Sequence, residues 1–435
     1  MQNFLLSLPV VGKWLSSRPV LLRVVENISW LSLDKVLRLG VGLFVGVWVA
    51  RYLGPAGYGM LNYAVAFVSL FSALATLGLD QIVVRELVHS PEDEGKLVGT
   101  SFFLKLMGGV IVLFLSTLTA FFIHRGDLKT ILMIFFISLG MVAQAFLAID
   151  FFFQSKILSK YTVIAQNIAF FVVSGMKVIL ILLRVSVEWF AVMSLFEAFV
   201  AGVFLVFFYN RKGGHISNWK FDMETAKKLL HDSWPLILSS VAITIYMRID
   251  QVMIRNMLGE KEVGWYSAAV SLTEVWYFIP GVITSSVFPA LVEAKKIDEK
   301  IYRERARQML WLLGGVAIFM ALPISLLSKS IVQVLFGDAY RFSGEVLRLY
   351  VWASVFVFFG QGINYLLLCE SDQRIIFLRV AIGALFNAFF NMFLIIRIGI
   401  LGAVYATLLA YIFSLFIIFL WSKYRNWLLK IRMIE

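Results

Sequence analysis

The residues able to do chemistry in this sequence are charges set inside long apolar runs. Arg248, Asp250 and Gln251 sit within the hydrophobic stretch 234–258. Arg248 is fourteen residues from its start, about 21 Å along a helix that rises 1.5 Å per residue. At about 100° per residue, Arg248, Gln251 and Arg255 share one helical face, while Asp250 points nearly the opposite way and needs partners of its own. Further cations lie in other apolar runs, at Lys35, Arg38, Lys105, Lys177, Arg348 and Arg379, and acids at Asp34, Glu197 and Glu274. A charge at bilayer depth costs several kcal/mol unless it faces protein or a water-filled cavity. Deep cations outnumber deep acids, so a cavity that they line is net positive and suits phosphate oxygens, which pair strongly with guanidinium and ammonium groups. Arg248, Lys177, Arg38, Lys35, Lys105, Arg379, Gln251 and Arg255 are the expected substrate-binding set, with Lys35, Arg38 and Arg379 near the mouth. Other readings stand beside this one. Arg255 and Arg348 lie near span ends and can snorkel to headgroups. Asp34 can pair with Arg38 four residues on, making an interfacial anchor. Asn387 and Asn391, one turn apart, could bind a sugar or join two helices.

These charges need spans to hold them at depth. Hydrophobic residues make up 60% of the 435 and charged ones only 15%, with a mean hydropathy of +0.86. A soluble domain cannot carry that balance, because forty Phe and twelve Trp would leave large apolar patches in water. About 20 apolar residues cross the hydrocarbon. Twelve such spans are expected: 28–53, 60–79, 98–123, 128–153, 163–183, 187–209, 234–258, 264–291, 309–327, 347–369, 375–396 and 401–421. The Lys and Arg outside them fall roughly three to one on the side of the two termini, which by the positive-inside rule is the cytoplasm. The fold class is therefore all-α and polytopic, in the cytoplasmic membrane of the cell. The segment 1–27 is read as lying at the interface rather than as a cleaved leader.

Common catalytic chemistry finds no foothold. A single cysteine, Cys369, excludes intramolecular disulfides and multi-Cys metal sites. The four histidines are scattered through connecting segments, and HExxH, GxSxG and GxxxxGK[ST] are all missing. No catalytic residue, metal site or cofactor is expected.

Loop lengths divide the spans into two six-helix lobes, 28–209 and 234–421, followed by a basic tail, 422–435. The longest connection, 210–233, reads as a linker with a short amphipathic helix carrying Phe221, Ala226, Leu229 and Leu230. The 292–308 loop reads as a mixed-charge helix, and 328–346 as the longest connection on the opposite side. The halves also echo each other. LGPAGYGMLNYAVA from Leu53 and LGEKEVGWYSAAVS from Leu258 each place a second glycine five residues after the first, at Gly54 and Gly59 and at Gly259 and Gly264. Both copies fall at the same point of their half, as in a parallel transporter repeat. These glycines are expected turns, and Pro280 an expected kink.

The segments 49–80 and 248–291 resemble the first hairpin and the seventh and eighth spans of polysaccharide flippases. These form the O-antigen or exopolysaccharide repeat-unit branch of a superfamily that includes multidrug extruders and peptidoglycan-precursor flippases. The resemblance implies two lobes rocking around a cationic lumen and an isoprenoid-diphosphate-linked oligosaccharide as substrate. It also implies coupling to an ion gradient, for which Asp250 or Glu274 would be the carrier. Its partners would be that lipid-linked substrate, membrane lipids and polymerase or glycosyltransferase machinery, with no nucleic acid. A multidrug or cation antiporter of the same superfamily is the alternative, disfavoured by the deep cations. An integral-membrane polymerase or glycosyltransferase would need a larger external loop than any here.

Overall fold

The computed structural model describes residues 19–370 and 372–417, with side chains from Arg38 onward except Gln373. Residues 1–18 of the expected interfacial segment, the tail 422–435 and the side chain of Lys35 lie outside the described residues. Every element among the described residues is helical, as lipid demands, since a helix satisfies its own backbone groups. In chain order these are α1 (Pro19–Ser69), α2 (Ser72–Thr76), α3 (Asp80–His89), α4 (Glu94–Ile123), α5 (Leu128–Ala143), α6 (Ala148–Ser155), α7 (Lys160–Leu182) and α8 (Val187–Arg211). There follow α9 (Met223–Met257), α10 (Glu260–Glu274), α11 (Phe278–Ile297), α12 (Glu299–Phe336), α13 (Arg341–Tyr350), α14 (Ala353–Cys369), α15 (Gln373–Ile398) and α16 (Ile400–Phe416).

Among the described residues, nine helices are long and apolar enough to cross a membrane alone, and α13 with α14, bent by 42°, forms a tenth. The shorter apolar α16 and the break of α1 at Gly54 account for the remaining expected spans. The protein is polytopic and all-α. Several boundaries differ from expectation. Helix α1 begins at Pro19, not 28. The break near Pro280 falls just upstream, at 275–277, because the proline ring excludes the carbonyl four residues before it. Helix α12 runs on to Phe336 and stops at Gly337, whose φ is 83°. The expected connection 328–346 therefore shrinks to a short turn, Asp338–Tyr340, since the stretch 328–336 holds no helix breaker.

Contacts gather the chain into two compact units, one of residues up to 49 with 67–241, the other of 50–66 with 242 onward. In the first, Phe151, Phe152, Phe153, Tyr209, Leu79 and Leu229 form the core. The connection 212–222 is strapped to the start of α4: the Lys220 amide donates to the Gly95 carbonyl at 3.3 Å and the Asp222 amide to Thr100 Oγ1 at 3.1 Å. A Cβ on Gly99 would stand 2.7 Å from the Lys220 nitrogen, so only glycine admits the strap. Trp219 packs on Phe102 with centroids 4.9 Å apart and donates to Tyr209 Oη at 3.1 Å. The separate amphipathic helix expected here does not form. Phe221 is not helical, while Ala226 and Leu229 are buried in the first turns of α9, which runs unbroken into the seventh span. Ion pairs hold these turns to α3, Arg85–Asp232 at 2.9 Å and Lys228–Glu86.

In the second unit Leu291, Tyr302, Met309, Leu313 and Phe358 pack α11, α12 and α14 together. The repeated glycine motifs meet there. Gly54 and Gly259 take φ of 64° and 138°, which glycine adopts without strain. The second glycines close a seam: a Cβ on Gly59 would stand 1.8 Å from the Glu260 carbonyl oxygen, and one on Gly264 1.9 Å from that of Pro55. Each motif thus packs its second glycine on the residue following the first glycine of the other. Tyr340 Oη donates to the Ala50 carbonyl at 2.7 Å, and Trp265 Nε1 to that of Ala339 at 2.8 Å, tying the 50–66 segment and α10 to the turn after α12.

Two outcomes follow from this packing. Gly264→Val should destabilise the protein by about 3 kcal/mol or more, the upper range of overpacking, seen as loss of monodisperse, heat-stable material in detergent. Gly46→Ala, which meets nothing within 4 Å, should leave stability unchanged or slightly raised. The strap should also respond to acid. Lys228 holds the Glu86 carboxyl below its usual range, and Thr225 with Lys96 does the same for Asp222. Groups with depressed folded pKa stabilise above their unfolded values, about 4, and lose that contribution as pH falls through the folded ones. Hydrogen exchange over 215–232 should accelerate beyond its intrinsic pH dependence below about pH 4, and stay unchanged from pH 6 to 8.

Candidate functional site

Asp250 is the most enclosed acid in the second unit, 3% exposed. Its carboxylate is met by neutral donors from three other helices. Tyr266 Oη of α10 donates at 2.6 Å, Thr407 Oγ1 of α16 at 2.7 Å, and Asn391 Nδ2 of α15 reaches the other oxygen. Asn391 also donates to Asn387 Oδ1 at 3.0 Å. Hydrogen bonds to a charged group stabilise by about 1.5–3 kcal/mol each, so three offset the several kcal/mol that burying a carboxylate costs. Asn387 and Asn391, both fully buried, thus join helices around an acid. No cation lies within ion-pair distance of Asp250 among the described residues.

Arg248 turns away, as the helical wheel requires, and pairs with Glu274 at 3.3 Å. The pair is loose and partly open, with side chains 30% and 22% exposed. Arg255 pairs with Glu260 at 2.9 Å and lies over the Tyr63 ring, 5.4 Å from its centroid. Gln251 is buried. Arg348, the other end-of-span cation, is exposed.

Arg379 differs from all of these. It is 4% exposed and lines a cavity of about 230 Å³ with Tyr246, Tyr277, Asn364, Tyr411 and Ser414. Its Nη2 donates to Asn364 Oδ1 at 2.6 Å and to the Gly360 carbonyl at 3.2 Å. No carboxylate lies within 4 Å of it among the described residues, and its Nε has no partner. Tyr246, stacked edge-on to Tyr411 at 4.8 Å, is in electrostatic reach of both Arg379 and Asp250.

In the first unit Lys105 is buried and stands 4.0 Å from Asp80, over the ring of Phe151 at 5.0 Å. Asp150 adds charge nearby and accepts from Thr162 and from Gln154 at 2.7 Å. Lys177 faces Glu197 through charge alone. Arg38 lies over Phe170 at 5.3 Å and lines a cavity of about 350 Å³ that also includes Glu197. The expected cations are thus sorted by company: Arg248, Arg255 and Lys105 have acids beside them, and Arg379 has none. Nothing in the sequence marks Tyr266 or Thr407, because neither is charged at neutral pH and a membrane threonine ordinarily bonds its own helix; the Ala403 carbonyl, 2.9 Å from Thr407 Oγ1, competes with Asp250 for the one hydroxyl proton. Asp150, Gln144 and Gln166 lay inside apolar runs and carried the same signal as the acids that were singled out.

An all-helical polytopic scaffold with cavities and deep charges inside its units defines an α-helical membrane protein. The chain belongs to the family described as polysaccharide biosynthesis proteins, whose profile matches residues 24–295; a second profile, MatE, matches 235–393. It is similar to a putative O-antigen transporter of Shigella flexneri, 24% identical over 68% of this chain and 72% of that one. It is also similar to the lipopolysaccharide biosynthesis protein WzxC of Escherichia coli, 22% identical over 87% and 75%. Two solved structures share the fold. One is an inward-facing multidrug resistance MATE transporter, with a TM-score of 0.68, 16% identity, and coverage of 94% of this chain and 100% of that one. The other is the lipid II flippase MurJ, with a TM-score of 0.60, 17% identity, and coverage of 90% and 87%.

The Arg248–Glu274 pair yields a stability test. Arg248→Ala alone leaves a partly buried acid unpaired and should destabilise by about 3 kcal/mol, whereas Arg248→Ala with Glu274→Gln should recover most of that loss in a double-mutant cycle read by thermal unfolding.

Proposed function

We propose that this chain is a flippase, not an enzyme, and that it moves an isoprenoid-diphosphate-linked oligosaccharide from the inner to the outer leaflet of the cytoplasmic membrane. Both termini would be cytoplasmic, and two six-helix lobes, 28–209 and 234–421, would alternate access to the substrate. Membership of the polysaccharide biosynthesis family supports the reading, as do relatives named for O-antigen transport and, in Haloferax volcanii, as a probable low-salt glycan biosynthesis flippase.

The observation that carries the reading is Arg379. A guanidinium held in an aromatic cavity without a carboxylate is an anion site waiting for its counter-charge, and a diphosphate supplies one. The MatE match favours a second reading, a multidrug or cation antiporter. Such a cavity would need acids to receive a cation, and the wall beside Arg379 has none within ion-pair reach among the described residues. Asp250 is the residue we assign to ion coupling. It is an acid with no cation beside it, so binding a proton or a small monovalent cation changes its charge outright. Glu274 is already answered by Arg248, which makes it the weaker candidate. The delivered product would pass to polymerase or glycosyltransferase machinery on the far side.

Deletion of the gene should leave lipid-linked saccharide in the inner leaflet and remove surface glycan; intact surface glycan would sink the flippase reading. Arg379→Ala should reduce complementation at least tenfold with membrane expression preserved, and Arg379→Lys should restore part of it. Asp250→Asn should remove the pH or sodium dependence of transport, while unaltered ion dependence would take Asp250 out of the coupling role.

A further inference from the structure

The first unit holds a second chamber of a different character. Its walls come from α1, the α5–α6 junction, α7 and α8, and the polar side chains lining its roughly 350 Å³ are Arg38, Gln144, Gln166, Ser194 and Glu197. That volume is in the range of pockets that enclose a small ligand. The break between α5 and α6 is a short 3-10 turn, Gln144–Leu147, at the chamber wall. No proline or glycine within the turn forces it, and such mid-span turns mark functional positions. It places Gln144 and Phe146 on the lining together. Gly202 of α8 lies against the Phe146 ring, with an added Cβ only 3.2 Å from it, which fixes the ring on the wall. Among the described residues the side chains of Gln144, Gln166 and Ser194 form no hydrogen bond. All three are half-buried and open onto the chamber, where water or a ligand can answer them.

Two primary amides, a hydroxyl and a carboxylate offer donors and acceptors in close succession, and Phe146 offers an apolar face. Vicinal hydroxyls and the C–H face of a sugar ring complement that set. We propose that this chamber is a saccharide subsite, which reads the sugar of the lipid-linked substrate through Gln144, Gln166, Ser194 and Glu197. The proposal rests on the flippase reading above. It adds that selectivity for the sugar resides in the first unit, separately from the Arg379 cavity of the second. A site built to hydrogen-bond hydroxyls rejects an analogue that lacks them, because its own polar groups are then left unpaired.

The test uses the full chain in lipid nanodiscs and two probes, farnesyl diphosphate and farnesyl diphosphate carrying a short hexose and N-acetylhexosamine saccharide. Wild type should bind the saccharide-bearing probe at least tenfold tighter than the bare one. Gln166→Leu and Ser194→Ala, chosen to keep shape, should each cut that ratio at least threefold and together bring it near one, with affinity for the bare probe unchanged. A ratio that survives the double variant, a wild-type ratio of one, or equal loss of both probes would overturn the subsite while leaving the flippase reading intact. Failure of wild type to bind either probe would overturn both.

Discussion

Inside lipid a polar group has only the protein to answer it, and this constraint organises the second unit around Asp250. The acid sits on α9 and draws one donor each from α10, α15 and α16. None of those helices would gain much from mutual apolar contact alone, because lipid tails are as apolar as their side chains. Three hydrogen bonds to one carboxylate are directional and hold four helices in register. The acid to which ion coupling is assigned in the proposal above is therefore also a structural hub. A change in its charge would be felt by every helix that donates to it, and under the proposed coupling role this would give ion binding a physical route to movement.

The glycine seam supplies the complementary contact, made by the backbone instead of side chains. Gly59 and Gly264 let carbonyl groups approach within the space of a missing Cβ, the kind of close approach that drives helix association in membranes. The reciprocity of the contact follows from the repeat. If two copies of one motif meet about a pseudo-twofold axis, whatever the first does to the second is returned. It also explains why residues 50–66 group with the second unit, although the chain on both sides of them belongs to the first.

Much of this was legible in the sequence. The helical class, the span positions, the turns at Gly54 and Gly259 and the isolation of Asp250 from Arg248 all follow from hydropathy, φ requirements and helical phase, which are local. Gly59 and Gly264, expected as turns too, are helical and serve close packing instead. What stayed hidden was partnership. Phase shows that Asp250 needs other partners, but Tyr266 and Thr407 come from residues 16 and 157 positions away, and nothing in their own neighbourhoods marks them. Asn387 and Asn391 were noticed, yet their chemistry suits a sugar hydroxyl as well as a carboxylate, and only the fold distinguishes the two. The linker misled for a related reason. Ala226 and Leu229 have an apolar face that suits a helix on the membrane surface, and the same face suits burial against the first unit's core, where the strap across Gly95 and Gly99 places it.

Charge compensation gives the proposed transport an order of steps. Arg379 would meet a diphosphate at no cost in broken ion pairs, which suits it to first capture. Arg248 is held by Glu274 in a loose, partly solvated pair, and a phosphate that takes Arg248 must displace that carboxylate. A displaced Glu274 would then be left without its partner, an acid that a proton or a cation would neutralise in addition to Asp250. On the reading proposed above, substrate binding at Arg248 would be linked to neutralisation of Glu274 through one exchange of partners, beside the coupling assigned to Asp250 two residues along the same helix. Such linkage would be reciprocal: a cation that neutralises Glu274 would free Arg248 for phosphate, and a phosphate on Arg248 would raise the affinity for the cation.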